Sequence, residues 1–248
     1  MKKAIIFALI FAGNLLYGDV LVYGPGGPAP VLKELANEFN KTSKEKINII
    51  AGPTGEWIDR AKVDADMVYS GSSAMMDSFI KAMPEALGSE GIKVLSIREA
   101  GIIVRPNNPK NIKKLDDLFK SGIKVMVVDG AGQVGLYEDM ALKDGKVENL
   151  ASLRQNIVYY AKNSKDAVMK WNEDKTIDAL IIWSHWAKSI GEDKAEFVSL
   201  KGSNVIFRAT EIAITKMSQK SEIAQDFIDF ITSKDAQNIW QKYGWEKR

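Results

Sequence analysis

The chain has 248 residues, with 34 basic and 32 acidic side chains, one histidine and no cysteine. That length permits one or two domains, and the near balance of charge leaves no electrostatic footprint for nucleic acid. Without cysteine there is no disulfide framework and no residue to take a lipid anchor. A single histidine (His185) and the lack of a calcium-loop pattern leave little material for a metal site, so neither metal nor cofactor is expected.

Lys2 and Lys3 precede an apolar run from Ala4 to Phe11 and a stretch of small residues ending Leu16-Tyr17-Gly18. This is the layout of a cleavable secretory signal over residues 1–18, with a cut after Ala12 as the alternative. The run falls short of the roughly 20 residues a membrane span needs, and Asn14 interrupts its continuation. Loss of the two lysines with the leader leaves 32 charges of each sign, so the basic excess belongs to export. An exported chain with no anchor is expected in the periplasm of a double-membraned bacterium, or released from the cell.

Short apolar runs then alternate with amphipathic stretches, the pattern of an α/β fold with mainly parallel strands. Strands are predicted at 20–23, 47–50, 67–69, 102–104, 125–128, 157–160, 179–182 and 197–200, with an extended stretch at 205–214. Val31, Leu32, Leu35, Ala36 and Phe39 fall at helical spacing after the first strand, and Trp57, Ile58 and Ala61 do so after the second. Met75, Met76 and Phe79 mark a third helix, and two more are predicted around 223–231 and 236–243. No low-complexity linker divides the chain, so two lobes would be joined by strands that cross between them. The candidates are 101–105 and 205–210. They would place 19–102 with 208–248 in lobe I, and 103–207 in lobe II.

Three strand exits in the first half are rich in Gly, Pro, Ser or Thr and lead into helices: Gly24 to Pro30, Gly52 to Gly55, and Ser70 to Ser73. Unpaired N–H groups and the helix dipole favour anions at such junctions. Glycine admits close approach, and hydroxyls add neutral donors. Any one of these loops reads as ordinary helix capping. Taken together, Gly26, Gly27, Thr54, Ser70, Ser72 and the loop Gly130 to Gly135 point to one crevice at the carboxyl ends of the strands. Trp183, at the end of the run Ala179 to Ile182 beside Ser184, reads equally as packing or as the far wall of that crevice.

Other chemistry is poorly supported. Gly130-x-Gly132-x-x-Gly135 follows a strand and opens a helix, as a dinucleotide fingerprint would. However, Ala161-Lys162-Asn163 has no acid where a nicotinamide ribose needs one, although Lys162 would suit a 2′-phosphate. There is no Gly-x-Ser-x-Gly elbow, and His185 reads as a partly buried capping or packing group. The paired acids Asp64-Asp66 and Asp116-Asp117 read as local caps or surface charges.

Several blocks carry a resemblance. They are Tyr23 to Pro28, Ala51 to Thr54, Asp64 to Ser72, Asp129 to Gly132, Trp183 to Lys188 and Lys242 to Trp245. In this order the chain resembles the accessory colonization factor C group of sulfate/molybdate-type periplasmic solute-binding proteins. The resemblance implies a two-lobed type II periplasmic-binding fold with two crossover strands, and a binding protein rather than an enzyme. It implies ligand contacts from Gly27, Thr54, Ser70 and Ser72 in one lobe and from Gly132, Gln133 and Ser184 in the other. The loop after Gly132 departs from the group, which carries a longer Gly/Ser/Thr-rich insertion there. The expected ligand is a small anion, either a sulfate- or molybdate-like oxyanion or a small di- or tricarboxylate. The latter would recruit an arginine such as Arg105 or Arg208. The expected partner of a monomeric chain is an ABC permease or a chemoreceptor. A nicotinamide-dependent oxidoreductase and a host-contact adaptor are the readings from other classes.

Overall fold

The computed structural model describes residues 18–130, 132–200 and 205–246; the expected leader lies outside them apart from Gly18. The first half builds strands β1 (Val20–Gly24), β2 (Ile47–Ala51) and β3 (Met67–Ser70), followed by helices α1 (Ala29–Phe39), α2 (Thr54–Asp64) and α3 (Ser73–Ala82) respectively. The long strand β4 (Lys93–Val104) leads into the second half. There β5 (Val125–Val128), β6 (Ile157–Ala161), β7 (Ala179–Trp183) and β8 (Glu196–Val198) alternate with α4 (Leu136–Ala141), α5 (Val147–Asn156), α6 (Ser164–Glu173) and α7 (His185–Ile190). Strand β9 (Ile206–Ile214) returns to the first half, where α8 (Ser221–Thr232) and α9 (Gln237–Lys242) close the chain. Leu115–Phe119 forms a 3₁₀ turn.

The strands form a curled sheet in the order β2-β1-β3-β9-β4-β7-β5-β6, with β8 on β4. The expectation of mainly parallel pairing holds only within each half, where β1 pairs with β2 and β3, and β5 with β6 and β7. Every pairing of β4 or β9 is antiparallel. For β4 on β9 the reason is topological: a strand that carries the chain out of one half and a strand that brings it back run in opposite senses where they meet. They meet from Lys93↔Ile212 to Ala100↔Ile206, and these are the two crossover strands of a two-lobed fold.

Both faces of the sheet are covered in each half, as the period-two pleat requires. Val20 and Val22 join Leu32, Leu35, Phe227 and Trp240 on one face, while Tyr23 and Val68 join Trp57, Met76 and Phe79 on the other. In the second half Ile102, Val125 and Val127 pack with Leu118 and Leu153, whereas Ile103, Met126 and Val128 pack with Trp171. Among the described residues no helix is long and apolar enough to cross a membrane.

The glycines of the Gly130–Gly135 motif have local structural reasons. A Cβ at Gly130 would collide with the Lys162 carbonyl oxygen and lie 3.1 Å from its carbonyl carbon. The exits of β5 and β6 therefore pass too closely for any side chain, and Asp129 N–H donates to Ala161 O at 2.8 Å beside them. Gly132 and Gly135 adopt φ of +78° and +76°, a region that glycine occupies without strain. We predict that Gly130→Ala costs roughly 1–3 kcal/mol by overpacking, read as a lowered midpoint in denaturant unfolding. A change under a few tenths of a kcal/mol would show the loop to be slack.

Candidate functional site

A cleft of about 820 Å³ opens where the two halves face each other. One wall is the turn Pro25 to Pro28 before α1 and the segment Ala51 to Thr54 at the start of α2. The other is Gln133, the segment Lys162 to Lys165 at the start of α6, and Trp183, His185 and Trp186. Arg98, on the crossover strand β4, lies between them.

Of the residues singled out from sequence, Gly26, Gly27, Thr54, Gln133 and Trp183 line this cleft. Ser70, Ser72, Gly132 and Ser184 are not among its lining residues. The Ser72 hydroxyl accepts from Met75 N–H at 3.2 Å and caps α3, so it already has a structural task. Gly132 sits against it: a Cβ there would be 3.6 Å from Ser72 Oγ, which brings loops of the two halves together. Ser70 and Ser184 are the more informative pair. Both hydroxyls are buried with no hydrogen-bond partner among the described residues.

The helix starts differ in what they offer. Pro28 and Pro30 lack N–H groups, so α1 presents fewer free donors than its position implies. Helix α2 begins at Thr54 after Pro53 with no side-chain cap; Glu56 N–H donates to Pro53 O at 2.9 Å, which leaves Thr54 and Gly55 as the candidate free donors. Helix α6 starts at Ser164, capped by Asn163 Oδ1, which accepts from Asp166 N–H at 2.9 Å. Gln133 Nε2 donates to Ser164 Oγ at 2.8 Å, and its Oε1 is buried without a partner.

The two arginines that the sequence offers for the cleft, Arg105 and Arg208, are not among its lining residues. Arg105 donates to the carbonyls of Ile177, Trp171 and Asp174 and lies over the Trp171 ring at 3.5 Å. Arg208 pairs with Asp139 at 3.4 Å. The residue missed was Arg98. It is 4% exposed and gripped between the rings of Trp183 and Trp245, each 4.8 Å from the guanidinium carbon. Its Nη2 donates to Gly71 O and its Nη1 to Thr210 Oγ1 at 3.2 Å, while Nε has no partner. No carboxylate pairs with it among the described residues. Burial, with a smaller push from Arg208, lowers its pKa from 12.5 to about 9, so it remains a cation at neutral pH.

His185 lies beside it, 3% exposed, with its ring stacked on Trp245 at 4.8 Å and 22°. Both ring nitrogens lack partners, and Nε2 faces the first half, 3.9 Å from a Cβ built on Gly27. Burial first, and the Arg98 charge second, hold its pKa well below 6.5, so the imidazole is neutral. It is more buried than a capping group would be, and it belongs to the cleft. No group of three or more His, Asp or Glu is placed to hold a metal among the described residues.

Residues 20–246 match the family model for bacterial extracellular solute-binding proteins. The chain belongs to this family. A crystal structure of Peb3 from Campylobacter jejuni superposes with a TM-score of 0.82 at 32% identity, covering 93% of this chain and all of that one. The substrate-binding domain of a putative molybdenum ABC transporter from Clostridium difficile matches at 0.71 and 18%, covering 93% and 99% of the two chains. The sulfate-binding protein SubI from Mycobacterium tuberculosis matches at 0.73 and 17%, covering 92% and 86%. At those identities the last two speak to the fold alone, which is that of the periplasmic binding proteins. A search of curated protein sequences finds no match.

Proposed function

We propose that this solute-binding protein works in the periplasm, without enzymatic activity, and closes lobe I (19–102 and 208–248) and lobe II (103–207) around a small anion. A monomer would then present the closed form to an ABC permease or a chemoreceptor. The observation that carries the reading is Arg98. Burying a cation without an acidic partner costs several kcal/mol, and a ligand anion entering the cleft would supply the missing countercharge. Membership of the accessory colonization factor C group is part of the same proposal.

Between the two ligand classes, the cleft supports an organic anion. A tetrahedral oxyanion would fill only part of about 820 Å³. Lys162 and Lys165 add cationic side chains to Arg98, with Glu56 the acid among the lining residues. Such a set suits a carboxylate or phosphate on a small carbon skeleton. Peb3, 33% identical to this chain, has been crystallised with L-phospholactate bound. Sulfate or molybdate remains the second reading, favoured by the open helix start at Thr54.

A thermal-shift screen of the exported chain against L-phospholactate, citrate, sulfate, molybdate and NADP tests this directly. An organic anion at a hundredfold excess over its Kd should stabilise by about 2.7 kcal/mol, with the shift growing with concentration. A shift with sulfate or molybdate alone selects the second reading, and one with NADP alone the oxidoreductase. No shift with any anion would overturn the proposal.

A further inference from the structure

The carboxyl-terminal segment is not an idle tail. After α9 the chain turns through Gly244 at φ +80°, where a Cβ would sit 3.0 Å from His185 Cα. Trp245 N–H donates to Trp240 O at 3.1 Å, Glu246 N–H donates to Ile97 O at 2.8 Å, and Ser96 Oγ donates to Glu246 O at 2.9 Å. Glu246 thus forms a bridge on the crossover strand one residue from Arg98. Lys188 Nζ donates to Gln241 O at 2.9 Å and ties α7 to the same turn.

We infer that Trp245 is a positioning residue for binding, holding the Arg98 guanidinium and the His185 ring in place for the ligand. The inference rests on Arg98 meeting the anion. One indole serves both groups, since the guanidinium carbon and the imidazole centroid each lie 4.8 Å from a Trp245 ring. Trp183, at the end of β7, also lies 4.8 Å from the guanidinium carbon, so the cation meets an indole from each half. A free arginine side chain samples many rotamers, and fixing it before the ligand arrives removes that cost from binding. The aromatic faces also attract the cation while it has no anion. A purely structural Trp245 would need only its edge-to-face packing on Trp240 at 5.6 Å.

The test compares Trp245→Leu and Trp245→Phe with the wild-type exported chain. L-phospholactate affinity is measured by calorimetry, and the Arg98 Nε–H resonance by nitrogen-15 NMR, assigned by its loss in Arg98→Lys. The two flanking indoles should shift the wild-type resonance by ring currents without any ligand. Trp245→Leu should move it toward the position of a free arginine and weaken binding by about tenfold or more, equivalent to about 1.4 kcal/mol. Trp245→Phe, which keeps an aromatic face, should retain most of both properties. Wild-type affinity or an unmoved resonance in Trp245→Leu would overturn the inference. If the wild type itself ignores L-phospholactate, that choice of ligand fails, and the resonance alone decides the role of Trp245.

Discussion

Replacing Arg98 by methionine is expected to abolish anion binding while leaving the unliganded protein about as stable as the wild type. The two effects separate because they arise in different states. In the unliganded molecule Arg98 is a buried cation with two neutral acceptors, Gly71 O and Thr210 Oγ1, and no acid. Replacing a buried, unpaired cation by an apolar side chain of similar length removes a desolvation cost of several kcal/mol. Against this, the two acceptors lose their donor, at roughly 1–3 kcal/mol each, and the contacts of the cation with the Trp183 and Trp245 rings are lost. The terms nearly cancel, and the melting temperature should change little. On the proposed reading Arg98 is the charge-assisted donor to the ligand, and losing such a buried partner costs about 2–5 kcal/mol or more. At about 1.4 kcal/mol per tenfold, affinity falls by about thirtyfold to a few thousandfold. Scanning calorimetry with and without anion measures both. A variant that unfolds far below the wild type would show Arg98 to be structural. One that keeps its ligand-induced shift would remove it from the site.

The second large effect is on acid stability, and it is carried by His185. The folded protein holds this imidazole neutral, chiefly by burial and secondly through the Arg98 charge, with a pKa well below 6.5. The unfolded chain takes up a proton near pH 6.5. As pH falls through that value the unfolded state binds more protons than the folded one, so stability is lost on acidification and regained above it. Between about pH 7 and pH 5 the loss is bounded by about 2 kcal/mol. His185→Phe keeps a ring to stack on Trp245 and cannot titrate. Its denaturation midpoint should fall less steeply with acid, and the two proteins should diverge by up to about 2 kcal/mol at pH 5. Because the chain has one histidine, no other imidazole contributes to the difference. Parallel pH curves would mean that His185 is solvated or paired in the folded state.

Much of the fold was legible because the buried strands carry uninterrupted apolar residues. Ala179–Trp183 and Val125–Val128 are buried at every position and read as strands on that ground alone. The first half of β4 was not legible. Lys93 to Ala100 is Lys-Val-Leu-Ser-Ile-Arg-Glu-Ala, and its polar residues look like a solvated connection. They are tolerated because the strand is a crossover: Ser96 and Arg98 turn toward the carboxyl-terminal strap and the cleft. The lining of the cleft was readable on its glycine- and threonine-bearing side, where Gly26, Gly27 and Thr54 follow strand ends. Arg98 was hidden because nothing adjacent in sequence marks it. Its aromatic clamp comes from Trp183 and from Trp245 at the far end of the chain. Ser72 and Gly132 were chosen for their donors or freedom, yet the first caps α3 and the second packs against it.

On the proposed reading a captured anion supplies the countercharge that Arg98 lacks among the described residues. The most direct measurement is a calorimetric titration of protein that has been unfolded and refolded to remove carried-over solute. The titrant is the anion giving the largest thermal shift, and wild type is run beside Arg98→Met. The account predicts a one-site isotherm in the wild type and none in the variant. Equal heats in both proteins, or no binding of any anion at millimolar concentration, would contradict it.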